Sequence, residues 1–191
     1  MVFSKKYKFF LFISAFVFVV NMLIMNEYTT ILNEVESDFL LDVQTLLGKG
    51  ELNADVKALL PVWVDSIMYK SFRFNEFSLR LVSVLVLLMT FFGFYFFGKK
   101  IFGEKTTVVT LLVLGSSFLP VNLAKFATGD VWIFGAQLMS FVFMILYLKQ
   151  PIGKWKWGVW FFVVLGALIH PLSMFIWSLG LWGYLRMIHP K

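Results

Sequence analysis

Residues 79–98 read LRLVSVLVLLMTFFGFYFFG, an apolar stretch in which Arg80 is the only charged residue. A helix needs about 17–25 mainly apolar residues to cross the hydrocarbon core of a bilayer. Other apolar runs of comparable or greater length occur along the chain, at 9–25, 106–123, 131–148 and 157–185. We therefore predict an all-α polytopic membrane protein, a single membrane domain with about 5–6 transmembrane helices.

The composition of the whole chain excludes several classes of protein. Of 191 residues, 60% are hydrophobic and 15% are charged, whereas soluble domains have about 45–50% apolar and about 25% charged residues. A soluble globular enzyme, a disordered tail and a nucleic-acid-binding module are excluded, so we expect no nucleic-acid partner. The chain has no cysteine, which excludes a disulfide scaffold, a thiolate zinc site and a cysteine nucleophile.

The first apolar run, 9–25, follows three lysines near the N-terminus. A basic start before an apolar stretch is typical of a cleaved signal peptide or of an uncleaved signal anchor. Because no small-x-small cleavage motif precedes Asn26, we favour the anchor, which makes this run the first transmembrane helix.

The distribution of lysines predicts the orientation of the chain. If the first four runs alternate in direction, three groups of lysines fall on one side of the membrane: Lys5, Lys6 and Lys8; Lys99, Lys100 and Lys105; Lys149, Lys154 and Lys156. The positive-inside rule makes that side cytoplasmic. We expect an integral protein of the bacterial inner membrane with a cytoplasmic N-terminus and an extracytoplasmic loop at 26–77.

The last apolar run, 157–185, is too long for one span and short for two. His170 and Pro171 interrupt it, and proline removes a backbone donor and breaks or kinks a helix. A cytoplasmic position for Arg186 and Lys191 requires two short helices that meet near His170. The sequence leaves open whether this run forms one span or such a hairpin.

The loop at 26–77 is acidic, with nine acids and four bases. Apolar residues recur at helical spacing in 36–47 and in 55–72, interleaved with charges. We predict two interfacial helices in this extracytoplasmic loop, lying on the membrane surface with Phe39, Leu46, Trp63 and Ile67 directed towards it.

Several short motifs also follow one another in a characteristic order. They are Glu36; Leu46-Leu47; Gly50-Glu51-Leu52; Lys57-Ala58-Leu59; Glu76-Phe77-Ser78-Leu79-Arg80-Leu81; Gly98 to Gly103; Lys125 to Asp130; and Gly166 to Pro171. This order resembles that of the GT-C integral-membrane glycosyltransferases, such as the protein O-mannosyltransferases and the lipid A aminoarabinose transferases. Two positions depart from the pattern. Val35 stands where the family has the Asp of an Asp-Glu pair, and Lys57-Ala58-Leu59 lacks both prolines of the family's Lys-Pro-Pro segment.

The resemblance covers the N-terminal part of such an enzyme. It implies a glycosyltransferase, or its N-terminal part, that moves a hexosyl or pentosyl group from a polyprenyl-phosphate donor to an acceptor on the extracytoplasmic face. The expected partners are this lipid-linked sugar, membrane lipid and a membrane protein that supplies missing helices.

The chemistry of such a transfer identifies the residues to examine. A carboxylate base is needed near the acceptor hydroxyl at the membrane surface, and cations or a metal must hold the leaving phosphate. We take Glu36, Asp38 and Asp130 as the catalytic candidates. Arg80, Lys125 and Lys57 are the candidates for binding the donor phosphate. No cofactor and no metal ligand is assigned, and participation of a divalent metal stays open.

Each candidate also has a structural interpretation. Glu36 and Asp38 can be a solvated face of an interfacial helix, and Asp130 can be a charge favoured at a helix start. Arg80 can pair with Glu76 one turn away, or it must snorkel, because an isolated charge is costly at membrane depth. His170 can simply end a helix.

A second function stays open from the sequence. Val35 in the Asp position and the length of the chain favour a non-catalytic membrane subunit, or a degenerate GT-C relative, whose acidic loop binds a partner. A transporter is the third choice, because no run carries an acid at its midpoint.

Overall fold

The computed structural model describes residues 34–49, 59–71, 76–117 and 129–188. These residues form seven helices and no strand: α1 (Glu34–Lys49), α2 (Leu59–Ser71), α3 (Glu76–Phe102), α4 (Glu104–Ser116), α5 (Asp130–Lys149), α6 (Gly153–Ile169) and α7 (Pro171–Ile188). The all-α class is therefore confirmed for these ranges. The predicted first span at 9–25, Lys57 and Lys125 lie outside them.

Two helices are long and apolar enough to cross a bilayer. They are Arg80–Phe102 within α3 and Asp130–Lys149, which is α5. The first overlaps the predicted run 79–98 in all but Leu79, and the second contains the predicted run 131–148. The total of 5–6 spans stays a prediction.

Of the run predicted at 106–123, the structure describes residues 106–117, and these are helical as far as Ser116. Ser117 adopts an extended backbone conformation, and its N–H bonds to the carbonyl of Leu114. At this end of the helix, the hydroxyl groups of Ser116 and Ser117 donate hydrogen bonds to the carbonyls of Val113 and Leu114, respectively. Such side-chain bonds compete with the helical ladder, an effect that hydropathy does not register.

The run 157–185 contains two helices, because the chain breaks at His170. Pro171 begins α7, a position where its missing N–H is no loss. The helices have 17 and 18 residues, or about 25–27 Å at 1.5 Å per residue. The structure therefore has the helical hairpin that the sequence left open.

Helices α3 and α5 run parallel. Val84 and Leu87 near the start of α3 pack against Val131 at the start of α5. At the opposite end, the Lys149 ammonium group donates to the carbonyl oxygen of Ile101. Parallel α3 and α5 are compatible with the predicted alternating topology, in which the runs 79–98 and 131–148 cross the membrane in the same direction.

A close contact in the middle of this pair depends on a glycine. A Cβ atom built on Gly135 of α5 would lie 2.6 Å from the Thr90 hydroxyl oxygen of α3. Small residues allow such an approach between membrane helices. The contact lies between the two end contacts and keeps α3 and α5 in register.

Helices α6 and α7 also pack against α5. Gly158 of α6 lies directly against the Phe143 ring, and that ring also stacks on Phe162 at 5.5 Å between centroids. Further along, Trp177 of α7 bonds to Ser140 of α5. The hairpin thus runs along α5 and turns at His170, at the end where α3 and α5 begin.

Candidate functional site

The beginnings of α3 and α5 and the tip of the α6–α7 hairpin lie at one end of the helices. Arg80 precedes the buried Val84 by one helical turn, and Asp130 directly precedes Val131. Because Val84 and Val131 belong to one cluster, Arg80 and Asp130 lie at similar depth on neighbouring helices. We call this the acidic end, since it carries the helices of the acidic loop.

Arg80 is the largest fully buried side chain in the described residues, with 2% of its surface exposed. It has an interaction partner in the protein. The snorkelling alternative is therefore wrong, because the guanidinium group does not reach solvent. The Glu76 side chain lies outside the described set, so the proposed pair with Arg80 stays a prediction. A buried guanidinium needs compensating charge or hydrogen bonds, so its partner in the protein helps to hold Arg80 in place.

Asp130 is the first residue of α5 and its side chain is exposed. The backbone N–H groups of Trp132 and Ile133 bond to the carbonyl of Gly129, which provides no side-chain cap. The position of Asp130 matches the interpretation as a charge favoured at a helix start. Exposure also leaves the carboxylate accessible to a substrate, so the structure is compatible with both hypotheses.

Glu36 and Asp38 both lie in the first turns of α1, where the structure describes the backbone only. They are two residues apart, which places their Cα atoms about 200° apart around the helix. Glu36 lies seven residues, or nearly two whole turns, before Val43, which is fully buried. Asp38 lies on the side of Leu41, which is exposed. Since α1 packs against α2, Glu36 lies on the helix side nearer to the protein.

Asp65 of α2 is the residue that sequence reasoning missed. Its side chain is 2% exposed, and its Oδ1 has no hydrogen-bond partner among the described residues. Burial raises the pKa of Asp65 from 3.8 to about 8, since a low-dielectric site disfavours the charged form. Helix α2 packs against α1, α3 and α6, so Asp65 lies on a helix that is in contact with three others.

A pattern in the sequence could have identified Asp65. Pro61, Val62, Asp65 and Ser66 follow the i, i+1, i+4, i+5 spacing of one helix face, and all four are buried. Trp63 and Ile67 lie on another face and are exposed. The two residues of α2 that were predicted to face the membrane are therefore not packed in the protein, whereas Asp65 is.

His170 lies exposed at the tip of the α6–α7 hairpin. Its Nδ1 accepts a hydrogen bond from the Ser173 backbone N–H at 3.2 Å and lies 3.0 Å from the Ser173 hydroxyl. These contacts cap the start of α7. They support the interpretation of His170 as a helix-end residue.

Metal ligands are not grouped in the described ranges, where no cluster of three or more His, Asp or Glu side chains could hold an ion. The described ranges do show a buried guanidinium and an exposed carboxylate at one end, and a buried carboxyl group of raised pKa on α2, which packs against α3.

Comparison with known proteins identifies the family. The family described as dolichyl-phosphate-mannose-protein mannosyltransferase matches residues 56–187, about two thirds of the chain. The chain belongs to this family. The match includes Arg80, Asp130, Lys57 and Lys125.

One relative is an uncharacterized protein of Aquifex aeolicus (strain VF5), 30% identical over 105 residues. The aligned region is 54% of this chain and 20% of that protein, so the chain spans about a fifth of the relative's length. No solved structure matches the chain.

Proposed function

We propose that this chain is a glycosyltransferase, or the N-terminal part of one, that uses a polyprenyl-phosphate-linked sugar on the extracytoplasmic face. Family membership carries the proposal. The position of Arg80 and Asp130 at one end of the parallel α3–α5 pair supports it, because donor phosphate and acceptor must meet at one depth.

In the proposed reaction Glu36 accepts the proton of the acceptor hydroxyl group. The acceptor oxygen then forms a bond to the anomeric carbon of the sugar, and the bond from that carbon to the phosphate oxygen breaks. The electron pair leaves with the polyprenyl phosphate, whose charge is balanced by cations. Arg80 supplies positive potential from inside the protein, and Lys57 and Lys125 are the proposed direct phosphate contacts.

Asp130 is the proposed second carboxylate of the site. Its accessible position at the start of α5 allows it to hold a hydroxyl group of the acceptor or of the sugar. Asp38 is the weaker candidate for the base, because its Cα lies on the exposed side of α1. A protonated Asp65 is able to donate one hydrogen bond within the same end.

The direct test reconstitutes the full-length protein in vesicles that contain a radiolabelled polyprenyl-phosphate sugar. Transfer of label to protein or lipid acceptors, together with release of polyprenyl phosphate, is the expected result. In sealed vesicles with oriented protein, labelling of acceptors outside or inside the vesicle shows on which side of the membrane transfer takes place.

Val35, in place of the family's Asp, favours a second candidate function. A non-catalytic membrane subunit would retain the fold and use the acidic loop to bind a partner. Two results together would support that alternative. The chain alone would transfer no sugar from a panel of lipid-linked sugars, and a stable complex of the chain with another membrane protein would transfer one.

A further inference from the structure

The end opposite to the acidic end is basic. The C-termini of α3 and α5 meet the N-terminus of α6 there, around a core that includes Ile101, Leu146 and Trp155. Within 99–105 and 149–156 the chain has one acid, Glu104, and six lysines: Lys99, Lys100, Lys105, Lys149, Lys154 and Lys156. The positive-inside rule accounts for an excess of lysine near the cytoplasm, but it does not account for how these side chains are arranged.

Two of the lysines converge on one indole ring. The Lys100 Nζ lies 5.4 Å from the centroid of the Trp155 ring, and the Lys154 Nζ lies 4.7 Å from it. Trp155 is itself held in the core, with its ring 6.1 Å from Phe97 and 5.9 Å from Phe143. Cation–π attraction thus holds two ammonium groups from different helices beside one rigid platform.

The same place has unsatisfied hydrogen-bond donors. Helix α6 begins after Ile152, which is extended and provides no side-chain cap, so its first N–H groups favour an anion. The Trp155 Nε1 is buried and has no hydrogen-bond partner among the residues that the structure describes. A buried donor without a partner is costly, and a ligand oxygen would remove that cost.

The surface beside these cations is apolar. Phe96, Ile152, Trp157 and Trp160 are exposed, Trp157 to 76% of its surface. A soluble anion such as inorganic phosphate gains nothing from these side chains. The acyl chains of a lipid would cover them while its phosphate meets the lysines.

We propose that Lys100 and Lys154, which both lie beside Trp155, bind the phosphate of an anionic glycerophospholipid, with the neighbouring exposed rings in contact with its acyl chains. This site lies at the opposite end from Arg80 and Asp130. It is therefore separate from the donor site of the proposed function, and either proposal can fail without the other.

The test measures lipid retained by the full-length protein. Protein is purified in a mild detergent from vesicles of equal parts phosphatidylglycerol and phosphatidylcholine, and bound lipid is counted by native mass spectrometry. We expect selective retention of phosphatidylglycerol, and we expect K100Q/K154Q to reduce it about tenfold. The control K105Q/K156Q removes the same charge from the same end, and there the retention should stay within about twofold.

Three outcomes overturn the proposal. They are equal loss in the two double variants, equal retention of the two lipids by the unaltered protein, and displacement of phosphatidylglycerol by millimolar inorganic phosphate. If K100Q/K154Q does not fold, K100R/K154R replaces it. That variant keeps both charges and should retain the lipid, and the lipid selectivity of the unaltered protein still decides the question.

Discussion

Trp177 of α7 donates its indole N–H to the hydroxyl oxygen of Ser140 in α5, at 2.9 Å. Ser140 is fully buried and itself donates to the carbonyl of Gln137 at 2.8 Å. The bond joins the second helix of the hairpin to the centre of α5. It therefore fixes α7 alongside a helix long enough to span a bilayer.

Removal of the Trp177–Ser140 bond should destabilise the hairpin. We expect Ser140→Ala to lower the unfolding free energy in detergent by about 0.6–1.7 kcal/mol, the range of interhelical hydrogen bonds in membranes. A double-mutant cycle with Trp177→Phe isolates the pair, because the second substitution should cost less once the first is present. Strict additivity would show that the two side chains do not interact.

Gly135→Ala should loosen the α3–α5 pair. Its new methyl group would meet the Thr90 hydroxyl at 2.6 Å, and overpacking of this kind costs about 1–3 kcal/mol. Thr90→Ala removes that oxygen, so the double variant should recover most of the loss in melting temperature. Gly180→Ala is the control, because nothing lies within 4 Å of a Cβ built there.

Asp65 should make stability depend on pH. With a pKa of about 8 in the folded protein and 3.8 as the ordinary value, the folded state holds a proton that the unfolded chain has lost between these values. The stabilising contribution is therefore fully present below about pH 4 and declines as pH rises towards 8.

Asp65→Asn should remove this decline and raise the melting temperature at pH 8. Unfolding followed by tryptophan fluorescence from about pH 4 to pH 9 measures the slope, with Glu104→Gln as a control at the opposite end. An unchanged slope in Asp65→Asn would mean that the carboxyl group is hydrated or paired in the membrane.

In the full-length protein active for transfer, Asp130→Asn should reduce the rate by about 10²-fold, as misplacement of a bound reactant does. The matched control is Glu104→Gln, because Glu104 also lies in the first turn of its helix but at the other end of the molecule. Full activity of Asp130→Asn at normal expression would reduce Asp130 to a helix-start charge.

Glu36 and Asp38 lie on different sides of α1, so we predict that their substitution has unequal effects on the transfer rate. Glu36→Gln should abolish transfer, whereas Asp38→Asn should change the rate by less than about threefold, because its Cα lies on the other side of the helix. Initial rates at saturating donor separate the two variants. The reverse order would place the base on the exposed side of α1.

Reporter fusions test the orientation. Fusions at Gly50 and at Gly103 should report opposite sides of the membrane, since α3 lies between them. Gly103 should be cytoplasmic because lysines surround it. Reporters on the same side would contradict the topology and also the side assigned to the transfer reaction.

The sequence predicted those helices that are determined by the composition of their own segment. Continuous apolar stretches predicted α3 and α5, and the His170-Pro171 step marked where 157–185 could divide, although the sequence left open whether it does. The end of α4 was missed because hydropathy averages over side chains and does not register the competing hydroxyls of Ser116 and Ser117.

The site was less predictable because burial is a property of packing between distant segments. Arg80 was found as a charge at membrane depth, but only the structure shows that it is enclosed. Asp65 was one acid among nine in the loop, and its burial depends on α3 and α6, which come later in the chain.

The three contacts between α3 and α5 fix the position of Asp130 relative to Arg80 along the helix axes. A slip of one helix past the other by a single turn would move Asp130 about 5.4 Å along Arg80's axis. The Lys149–Ile101 bond that opposes such a slip lies nineteen residues from Asp130, about 28 Å along the helix. A substitution near Lys149 can therefore change the position of Asp130 relative to Arg80 at the other end of the helices, without touching any residue there.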